Sequence, residues 1–268
     1  MTTSESGQKS SDSAKNSNLT KKGKWNKYKV MRGHDELKTH VPKTKKLSEI
    51  NLWKLVAQYG DVVVKPSNGR RGYGVIRIKA LASSLFELHH ENKKVTVNSK
   101  KQAIEYIKAK ISASRFSYDN YIVQYRIPLA TVGTRPFDMR VVVQRRQLTD
   151  QWEVTGIVAK VAGKGYIVTN IKRSSGKVLP IQKAIRKSVL KDLSSSLINE
   201  ISYVALMSAN RLSSNPDYAE QLIFGFDMGL DQNGHVWVIE ANLTPMLSHF
   251  KKLSDKSIYR KIIDYKKG

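Results

Sequence analysis

Residues 222–246 read LIFGFDMGLDQNGHVWVIEANLTPM, and this stretch indicates how the chain folds. It holds two apolar runs, 222–228 and 235–239, joined by a polar turn that contains Asn233-Gly234. Asn-Gly between two apolar runs is the strongest short-range signal for a β-hairpin. We therefore predict a hairpin here, around which the rest of the chain is organised.

Three oxygen-bearing side chains lie on this predicted hairpin. Asp227 is in the first strand, and Glu240 and Asn242 close the second. Because side chains alternate along a strand, Glu240 and Asn242 share a face, with Asp227 beside them across the ladder. Two carboxylates and an amide suit Mg²⁺, which takes few protein oxygens and completes its octahedron with water and phosphates. The alternative is that all three are ordinary strand-end residues.

Length and composition limit the class of protein. A chain of 268 residues is long enough for one large domain or two smaller ones. It has no cysteine, which excludes a disulfide framework, a thiolate zinc site and a thiol nucleophile and fits a reducing compartment. There is no apolar run of membrane-spanning length, and the serine-rich N-terminus lacks the apolar core of a signal peptide. These features predict a cytoplasmic protein.

The net charge is the most unusual global feature. The chain has 47 Lys and Arg against 22 Asp and Glu, a formal charge of +25. Such a field attracts phosphates, nucleic acid, anionic lipid or anionic polymer without choosing among them. The basic residues are spread along the chain, with no zinc-finger spacing, RNP motif or evident helix-turn-helix. Nucleic acid is therefore not excluded as a partner, but sequence-specific readout is not supported.

The spacing of apolar residues, together with capping and breaking residues, predicts the remaining helices and strands. Residues 1–24 are polar, cannot offset their ordering entropy, and are predicted to be a disordered tail. Apolar residues at helical spacing predict one or two short helices over 25–41, before the Pro42 break. Ser48 and Gly60 predict the two ends of a helix over 48–59, with Ile50 among its apolar residues. Further elements are expected as strands at 61–65, 75–78, 121–127, 135–143, 152–161 and 166–171, and helices at 100–111 and 181–212, the second with Val189 and Leu193 on its apolar face.

A glycine-rich turn follows the first of these strands. The strand ends in Lys65-Pro66, and the turn SNGRRGYG then supplies Gly69, Arg70, Arg71 and Gly72. Glycines let backbone amides approach phosphate oxygens, and arginines add positive charge. A strand–loop–strand differs from the Walker loop, whose glycines lead into a helix. The ordinary alternative is a hairpin turn without a ligand.

Asp138 and Arg140 lie two apart in a predicted strand and therefore share a face. A salt-bridged surface pair is the ordinary explanation. The functional one is that Asp138 orients Arg140, whose planar guanidinium suits the charge that builds on a transferring phosphoryl group.

The order of these motifs resembles the YheC/YheD branch of the ATP-grasp superfamily, the spore-coat-associated group, over about residues 25–253. The resemblance is carried by Asp227-x12-Glu240-Ala-Asn242 followed by Pro245, by Lys65-Pro66 before the glycine-rich loop and by the D-x-R of Asp138 and Arg140. Asn26-Lys27 and the Pro-x-Thr of Pro42 and Thr44 add to it.

The resemblance implies an α+β ATP-grasp fold with nucleotide between two subdomains. Residues 25–60 would be a short N-terminal segment, 61–124 a small mobile subdomain, 125–253 a larger antiparallel-sheet subdomain, and 254–268 a basic C-terminal helix. The implied catalytic residues are Arg140, Asp138 and Lys160. The implied ATP-binding residues are Lys27, Lys65, Gly69, Arg70, Arg71, Gly72, Gln124, Tyr125, Arg126, Ile127, Asn170 and Ile239, and the implied metal ligands are Asp227, Glu240 and Asn242. Taken alone, Lys27 is one surface lysine among many.

The activity that the resemblance implies is Mg²⁺-ATP-dependent ligation of a carboxylate to an amine through an acyl phosphate. The rival interpretation is an ATP-binding scaffold, or a protein that binds polyanions or nucleic acid, without ligase turnover. Most ATP-grasp enzymes begin with a substrate-binding domain, and only a short segment precedes the nucleotide region here. We therefore expect a large anionic acceptor, such as an acidic peptide or polymer. A partner subunit or a second copy of the chain is expected to complete its site.

Overall fold

The chain folds into two antiparallel sheets with helices packed against them, and the α+β ATP-grasp architecture expected from the sequence is confirmed. The structure is a computed structural model that describes residues 22–70, 72–147, 149, 151–163 and 176–267. The strand expected at 166–171 lies outside these residues. Among the described residues, no helix is both long and apolar enough to cross a bilayer.

The first sheet has six strands in the spatial order β1-β6-β2-β3-β4-β5. Its strands are β1 (Thr44–Lys46), β2 (Asp61–Pro66), β3 (Ile76–Ala80), β4 (Phe86–His90), β5 (Lys93–Val97) and β6 (Tyr121–Tyr125). Two helices, α3 (Glu49–Tyr59) and α4 (Lys100–Ser112), share one hydrophobic core with this sheet. The predicted boundary between residues 60 and 61 thus falls between a helix and a strand that pack together.

Helix α3 has the predicted ends. The Ser48 hydroxyl accepts a hydrogen bond from the Asn51 amide at 3.1 Å, and Gly60 ends the helix in the left-handed conformation at φ 68°. One expected core residue is wrong: Ile50 is 81% exposed, whereas Leu55 is buried as expected and Leu52 is buried as well. Ile50 lies off the buried stripe, because only part of a helix circumference can face the sheet.

The second sheet follows the order β10-β9-β8-β11-β12, with the short β7 paired to β8. Its strands are β7 (Thr131–Val132), β8 (Arg135–Gln144), β9 (Glu153–Val161), β10 (Lys177–Pro180), β11 (Ile223–Leu230) and β12 (Val236–Asn242). One face packs in the main hydrophobic core beneath α1 (Lys24–Arg32), α2 (Leu37–His40), α5 (Ile181–Arg186) and α6 (Ser194–Ser213).

The long helix expected over 181–212 is wrong, because the segment is broken between α5 and α6. The Ser188 hydroxyl donates to the Ile185 carbonyl at 2.7 Å and accepts from the Leu190 amide at 3.1 Å. Serine side chains that bond to nearby backbone groups compete with helix continuation. A 3₁₀ turn, Lys191–Leu193, then leads into α6. Consequently Val189 and Leu193 are 69% and 47% exposed instead of facing the core.

The two short N-terminal helices are present before Pro42, as predicted. Tyr28 and Met31 of α1 and Leu37 of α2 join the main core. Lys24, taken as the end of the tail, is instead the first residue of α1. Its backbone amide donates to the Ser67 carbonyl at 3.0 Å, so it belongs to the folded part of the chain.

The opposite face of the second sheet is covered by the C-terminal helix α7 (Ser257–Lys266). Val142 of β8 and Val158 of β9 pack there against Phe250 and Ile262. Asp138 and Arg140 precede Val142 by four and two residues in the same strand, so they share its face. These two side chains of the candidate site therefore lie on the same face of the sheet as α7.

Candidate nucleotide and cation site

The predicted hairpin is formed by β11 and β12. The Asp231 side chain organises its loop by accepting hydrogen bonds from the amides of Asn233 and His235 at 2.9 and 3.1 Å. Gly234 has φ +86°, a conformation that favours glycine. The Asn-Gly pair thus lies in the turn of a hairpin, as its sequence indicated.

A β-bulge in this hairpin sets the position of Glu240. Asp227 pairs directly with Glu240, whereas the next residue, Met228, pairs with Val238, so Ile239 is the extra residue. Val238 and Ala241 are buried, while Ile239 and Glu240 are both partly exposed. The bulge therefore presents two consecutive side chains, Ile239 and Glu240, toward the cleft.

Asp227 is the centre of a buried ionic cluster. Its carboxylate accepts hydrogen bonds from the Arg140 guanidinium at 3.0 to 3.2 Å and from the Lys160 ammonium at 2.7 Å. The Asn242 amide donates to the same carboxylate at 3.2 Å. Burial favours the protonated acid, but Arg140 and Lys160 outweigh it and hold the pKa of Asp227 below its usual range. Asp227 is thus ionised. Its contacts with Arg140, Lys160 and Asn242 join β11 to β8, β9 and β12.

Arg140 is held by a different residue from the one expected. The structure pairs its guanidinium with Asp227, whereas Asp138 forms an ion pair with Lys160 at 3.2 Å. The reason is the ladder register, because Arg140 lies opposite Asp227 on β11 and Asp138 lies opposite Lys160 on β9. Burial alone would lower the pKa of Lys160, but Asp138 and Asp227 raise it.

The other side of the cleft is built on the first sheet. The Lys65 ammonium donates to the side-chain oxygen of Gln124 at 2.7 Å, and the side-chain NH₂ of Gln124 donates to the Thr44 hydroxyl at 2.9 Å. Three strands thus fix the lysine. Burial lowers the pKa of Lys65 to about 8, against the opposing effect of Glu240.

Lys27 and Lys24 reach the same cleft from α1. Burial lowers the pKa of Lys27 to about 8 as well, again opposed by Glu240. The Lys24 ammonium lies 3.4 Å from the Glu240 carboxylate. The predicted phosphate lysines, Lys27 and Lys65, therefore do converge near Glu240.

The glycine-rich loop closes over these lysines. Gly72 and Gly74 have φ near +70°, and a Cβ at Gly69 would overlap the ring of Pro66. Arg70 is near enough to Lys27 to lower its pKa. Arg71 and Asn170, both expected to contact the nucleotide, lie outside the described residues.

The segment expected to read the base lies where the two sheets meet. Tyr125 stacks on Tyr59 with centroids 4.4 Å apart and contacts Trp237 edge-on at 5.9 Å. The Arg126 guanidinium pairs with Asp61 at 3.2 Å, and the Arg126 backbone amide donates to the Asp61 carbonyl at 3.2 Å. The Tyr125 amide also donates within the protein, to the Lys43 carbonyl at 2.9 Å. These two amides are already engaged, and Ile127 is buried.

Two residues of the site were missed from the sequence. Lys24 lies three residues before Lys27, so helical spacing alone would have placed it on the same face. His249 has a buried Nδ1 with no hydrogen-bond partner in the described part of the chain. Burial lowers the pKa of His249 to about 4, assisted by Lys160 and Arg140. No spacing signal connects His249 to that cluster.

The part of the cleft between α1, Lys65 and β12 is small. Its free volume is about 10 Å³, room for about one water molecule. It is lined by Lys24, Lys27, Tyr28, Met31, Lys65, Ile122, Gln124, Val238, Ile239, Glu240 and Ala241.

The family model for YheC/D-like ATP-grasp proteins matches residues 14–267, nearly the whole chain. The chain belongs to this family. It is 29% identical over 245 residues to the endospore coat-associated protein YheD of Bacillus subtilis (strain 168), covering 87% of this chain and 50% of that protein. This YheC/D-like chain therefore spans about half the length of the curated relative that it matches.

Solved ATP-grasp structures share the fold of this YheC/D-like protein. The ATP-grasp ligase PsnB, solved with a minimal precursor, matches with a TM-score of 0.51 at 14% identity, over 92% of this chain and 61% of that one. The D-cycloserine synthetase DcsG matches with a TM-score of 0.52 at 10% identity, over 92% and 70%. At these identities the likeness establishes the fold. Membership of the family implies ATP binding.

The donors at the hairpin fit a magnesium ion that is shared with a nucleotide. Asp227 and Glu240 are directly opposed, and Asn242 bonds to Asp227. Within the described residues, no three His, Cys, Asp or Glu side chains gather into a complete metal site. An incomplete set of hard oxygen donors suits Mg²⁺, which usually keeps waters and takes its remaining ligands from phosphates.

Proposed function

We propose that this YheC/D-like chain is a Mg²⁺-ATP-dependent carboxylate–amine ligase. The observation that supports it best is that two groups of charged side chains face each other across one cleft. Lys65 and Lys27 lie on one side, and Asp227 with Arg140 and Lys160 on the other, joined through Glu240. A nucleotide triphosphate with its cation has the charge pattern that such a cleft would bind.

The reaction would run in two displacements. A carboxylate oxygen of the acceptor attacks the γ-phosphorus of ATP, the bond to the bridging oxygen breaks, and ADP leaves. An amine nitrogen then attacks the carbonyl carbon of the acyl phosphate, forms the amide, releases inorganic phosphate and gives its proton to solvent. Neither displacement needs a side-chain nucleophile, in keeping with a chain that has no cysteine. Catalysis would rest on positioning and on charge neutralisation.

Each cluster has a distinct part in this scheme. Lys65, which is held by Gln124, and Lys27 would neutralise the phosphates. Burial disfavours the charged form of both lysines, and a bound phosphate would stabilise that form. Asp227, Glu240 and Asn242 would hold Mg²⁺, which when bound supplies positive charge against the phosphate oxygens. Arg140, oriented by Asp227, would meet the charge on the transferring group.

The space between Lys27, Lys65 and Glu240 is about 10 Å³, which is too small for a phosphate group. A phosphate that binds these lysines would therefore have to widen the gap between them and Glu240. Closure around the nucleotide would then exclude water from the acyl phosphate.

The acceptor is proposed to be anionic, because the chain carries a formal charge of +25. The decisive measurement is ADP formation with Mg²⁺-ATP across a panel of acidic peptides and polymers, with products identified by mass spectrometry. ADP formation that needs both Mg²⁺ and one acceptor, with a new amide bond in it, is the expected result. ATP binding without turnover on any acceptor would favour the nucleotide-binding scaffold instead.

A further inference from the structure

Lys24 connects three parts of the molecule that the sequence keeps far apart. Its ammonium donates a hydrogen bond to the Gly69 carbonyl in the glycine-rich loop and lies 3.4 Å from the Glu240 carboxylate of the hairpin. Its backbone amide donates to the Ser67 carbonyl at 3.0 Å, and the next amide, of Trp25, donates to the Ser67 hydroxyl at 3.1 Å. The first turn of α1 thus holds the loop by both backbone and side chain.

The electrostatic position of Lys24 is unusual. Its side chain is only 13% exposed, and its charge lowers the pKa values of both Lys27 and Lys65. Three ammonium groups therefore crowd around one carboxylate. Crowded, partly buried cations repel one another, so the pairing with Glu240 is what makes the arrangement tolerable.

Glu240 is also the carboxylate proposed to bind the divalent cation. An ammonium 3.4 Å from one oxygen of this carboxylate repels an ion of charge +2 that binds the same carboxylate. Cation binding at Glu240 and the Lys24 contact therefore weaken each other.

We propose that Lys24 is a latch that holds the glycine-rich loop against the hairpin in the nucleotide-free protein, and that a divalent cation at Glu240 releases it. This inference rests on the proposed cation site. The small space beside Glu240 fits this latch, since the Lys24 side chain contacts both the loop and the hairpin. Release of Lys24 would open the cleft to the nucleotide. The Lys24 ammonium would then be available to pair with a phosphate.

The test compares wild-type protein with K24M, which keeps much of the side-chain bulk and removes the charge. K29M is the matched control, because Lys29 is an exposed lysine on the same helix. Mn²⁺ is the probe, used without nucleotide, and its binding is measured by electron paramagnetic resonance. We expect K24M to bind Mn²⁺ severalfold more tightly than wild type and K29M, because Glu240 has lost the ammonium that pairs with it directly.

The loop supplies a second measurement that needs no variant. Hydrogen exchange of the peptide containing residues 67–74 should become faster when Mn²⁺ is added to wild-type protein. In K24M the exchange should already be fast and should not respond to Mn²⁺. Equal Mn²⁺ affinity in wild type and K24M, or wild-type loop exchange that ignores Mn²⁺, would overturn the latch.

Neither readout uses turnover, so the latch and the ligase are tested separately. A protein that shows both Mn²⁺ effects but forms no ADP has the latch and not the ligase activity. The double variant K24M/E240Q tests the cation site itself and should lose the gain in Mn²⁺ affinity that K24M shows. If the double variant binds as tightly as K24M, the cation does not bind at Glu240, and the latch is overturned with it.

Discussion

Arg140 lies directly opposite Asp227 in the ladder between β8 and β11, and its guanidinium donates to both oxygens of the Asp227 carboxylate at 3.0 to 3.2 Å. The carboxylate proposed to bind the cation is therefore also the group that orients the arginine. One residue thus links phosphoryl charge stabilisation to cation binding, and changes at Asp227 should affect stability as well as activity.

Replacing Asp227 with Asn should destabilise the protein. The change leaves Arg140 buried without its anion and removes one of the two anions around Lys160. Breaking a buried ion pair by removing one partner costs roughly 3 kcal/mol or more. Urea unfolding of D227N measures the loss. D264N is the control, since Asp264 is exposed, and should stay within about 0.5 kcal/mol of wild type. Equal stability of D227N and wild type would contradict the structural role of the cluster.

Replacing Glu240 with Gln should separate activity from folding. The Glu240 carboxylate is partly exposed and forms one ion pair, with Lys24, among the described residues, so E240Q should lose less stability than D227N although it removes the anion near Lys27 and Lys65. Magnesium-dependent ADP release should be abolished, because the amide cannot replace the carboxylate in binding the cation. E220Q, on an exposed glutamate, should retain full activity. Unchanged turnover in E240Q would rule out the metal assignment.

Alkaline pH should weaken ATP binding. Burial lowers the pKa values of Lys65 and Lys27 to about 8, so both lose their charge as the pH rises through 8, and ATP loses two cationic partners. We expect the dissociation constant for ATP, measured by fluorescence with a labelled analogue, to rise between pH 7 and pH 9. In K65M the remaining dependence should be weaker. A pH-independent affinity would mean that neither lysine contacts the phosphates.

The same two lysines predict the opposite trend in stability. Their folded-state pKa values lie below the ordinary value of 10.5, so between pH 8 and 10.5 the unfolded chain binds more protons than the folded one. Stability rises with pH wherever the unfolded state binds more protons. The difference in unfolding free energy between wild type and K65M should therefore shift in favour of wild type across this range, as measured by urea titrations at several pH values.

Two truncations should define where the folded chain begins. Residues 1–21 contain almost no large apolar side chain, so a chain that begins at Lys22 should keep its melting temperature and its ATP affinity. A chain that begins at Trp25 loses Lys24, with its bonds to Ser67 and Gly69, and should melt several degrees lower. Equal melting temperatures for the two truncations would show that Lys24 contributes nothing to folding.

Local sequence signals predicted those parts of the fold that depend on local chemistry. Ser48 and Gly60 predicted the ends of α3, and Asn233-Gly234 predicted the hairpin, because caps and turns are decided by a few neighbouring residues. The break after α5 was missed since Ser188 forms side-chain bonds that apolar periodicity does not register.

The ionic partners could not be predicted, because they depend on register between distant strands. The spacing of Asp138 and Arg140 suggested that they pair. The strand register instead places Arg140 opposite Asp227 and Asp138 opposite Lys160. A bulge at Ile239 then moves Glu240 opposite Asp227. The roles assigned to the site residues stay predictions, and the experiments above address them.

A final prediction concerns the path of an anionic acceptor. His249 is near enough to Lys160, Arg140 and Asp227 to be affected by their charges, and Lys252 also lowers its pKa. Of the exposed pair Lys251 and Lys252, the second is therefore close to the residue that adjoins the ionic cluster. Lys266 and Lys267 lie beside Tyr265, whose ring packs under Arg146 beyond the far end of β8. The two lysine pairs thus carry equal charge at different distances from the site.

Poly-L-glutamate serves as the probe, with binding measured by fluorescence anisotropy. Wild-type affinity should fall severalfold between about 0.05 and 0.3 M salt, because exposed charges are screened beyond about 10 Å at 0.1 M. ATP affinity, set by close contacts, should change less. K251E/K252E should bind the polymer more weakly than K266E/K267E, although both double variants change the net charge equally. Equal weakening would show that only the general field attracts the polymer, and an affinity indifferent to salt would contradict an anionic acceptor.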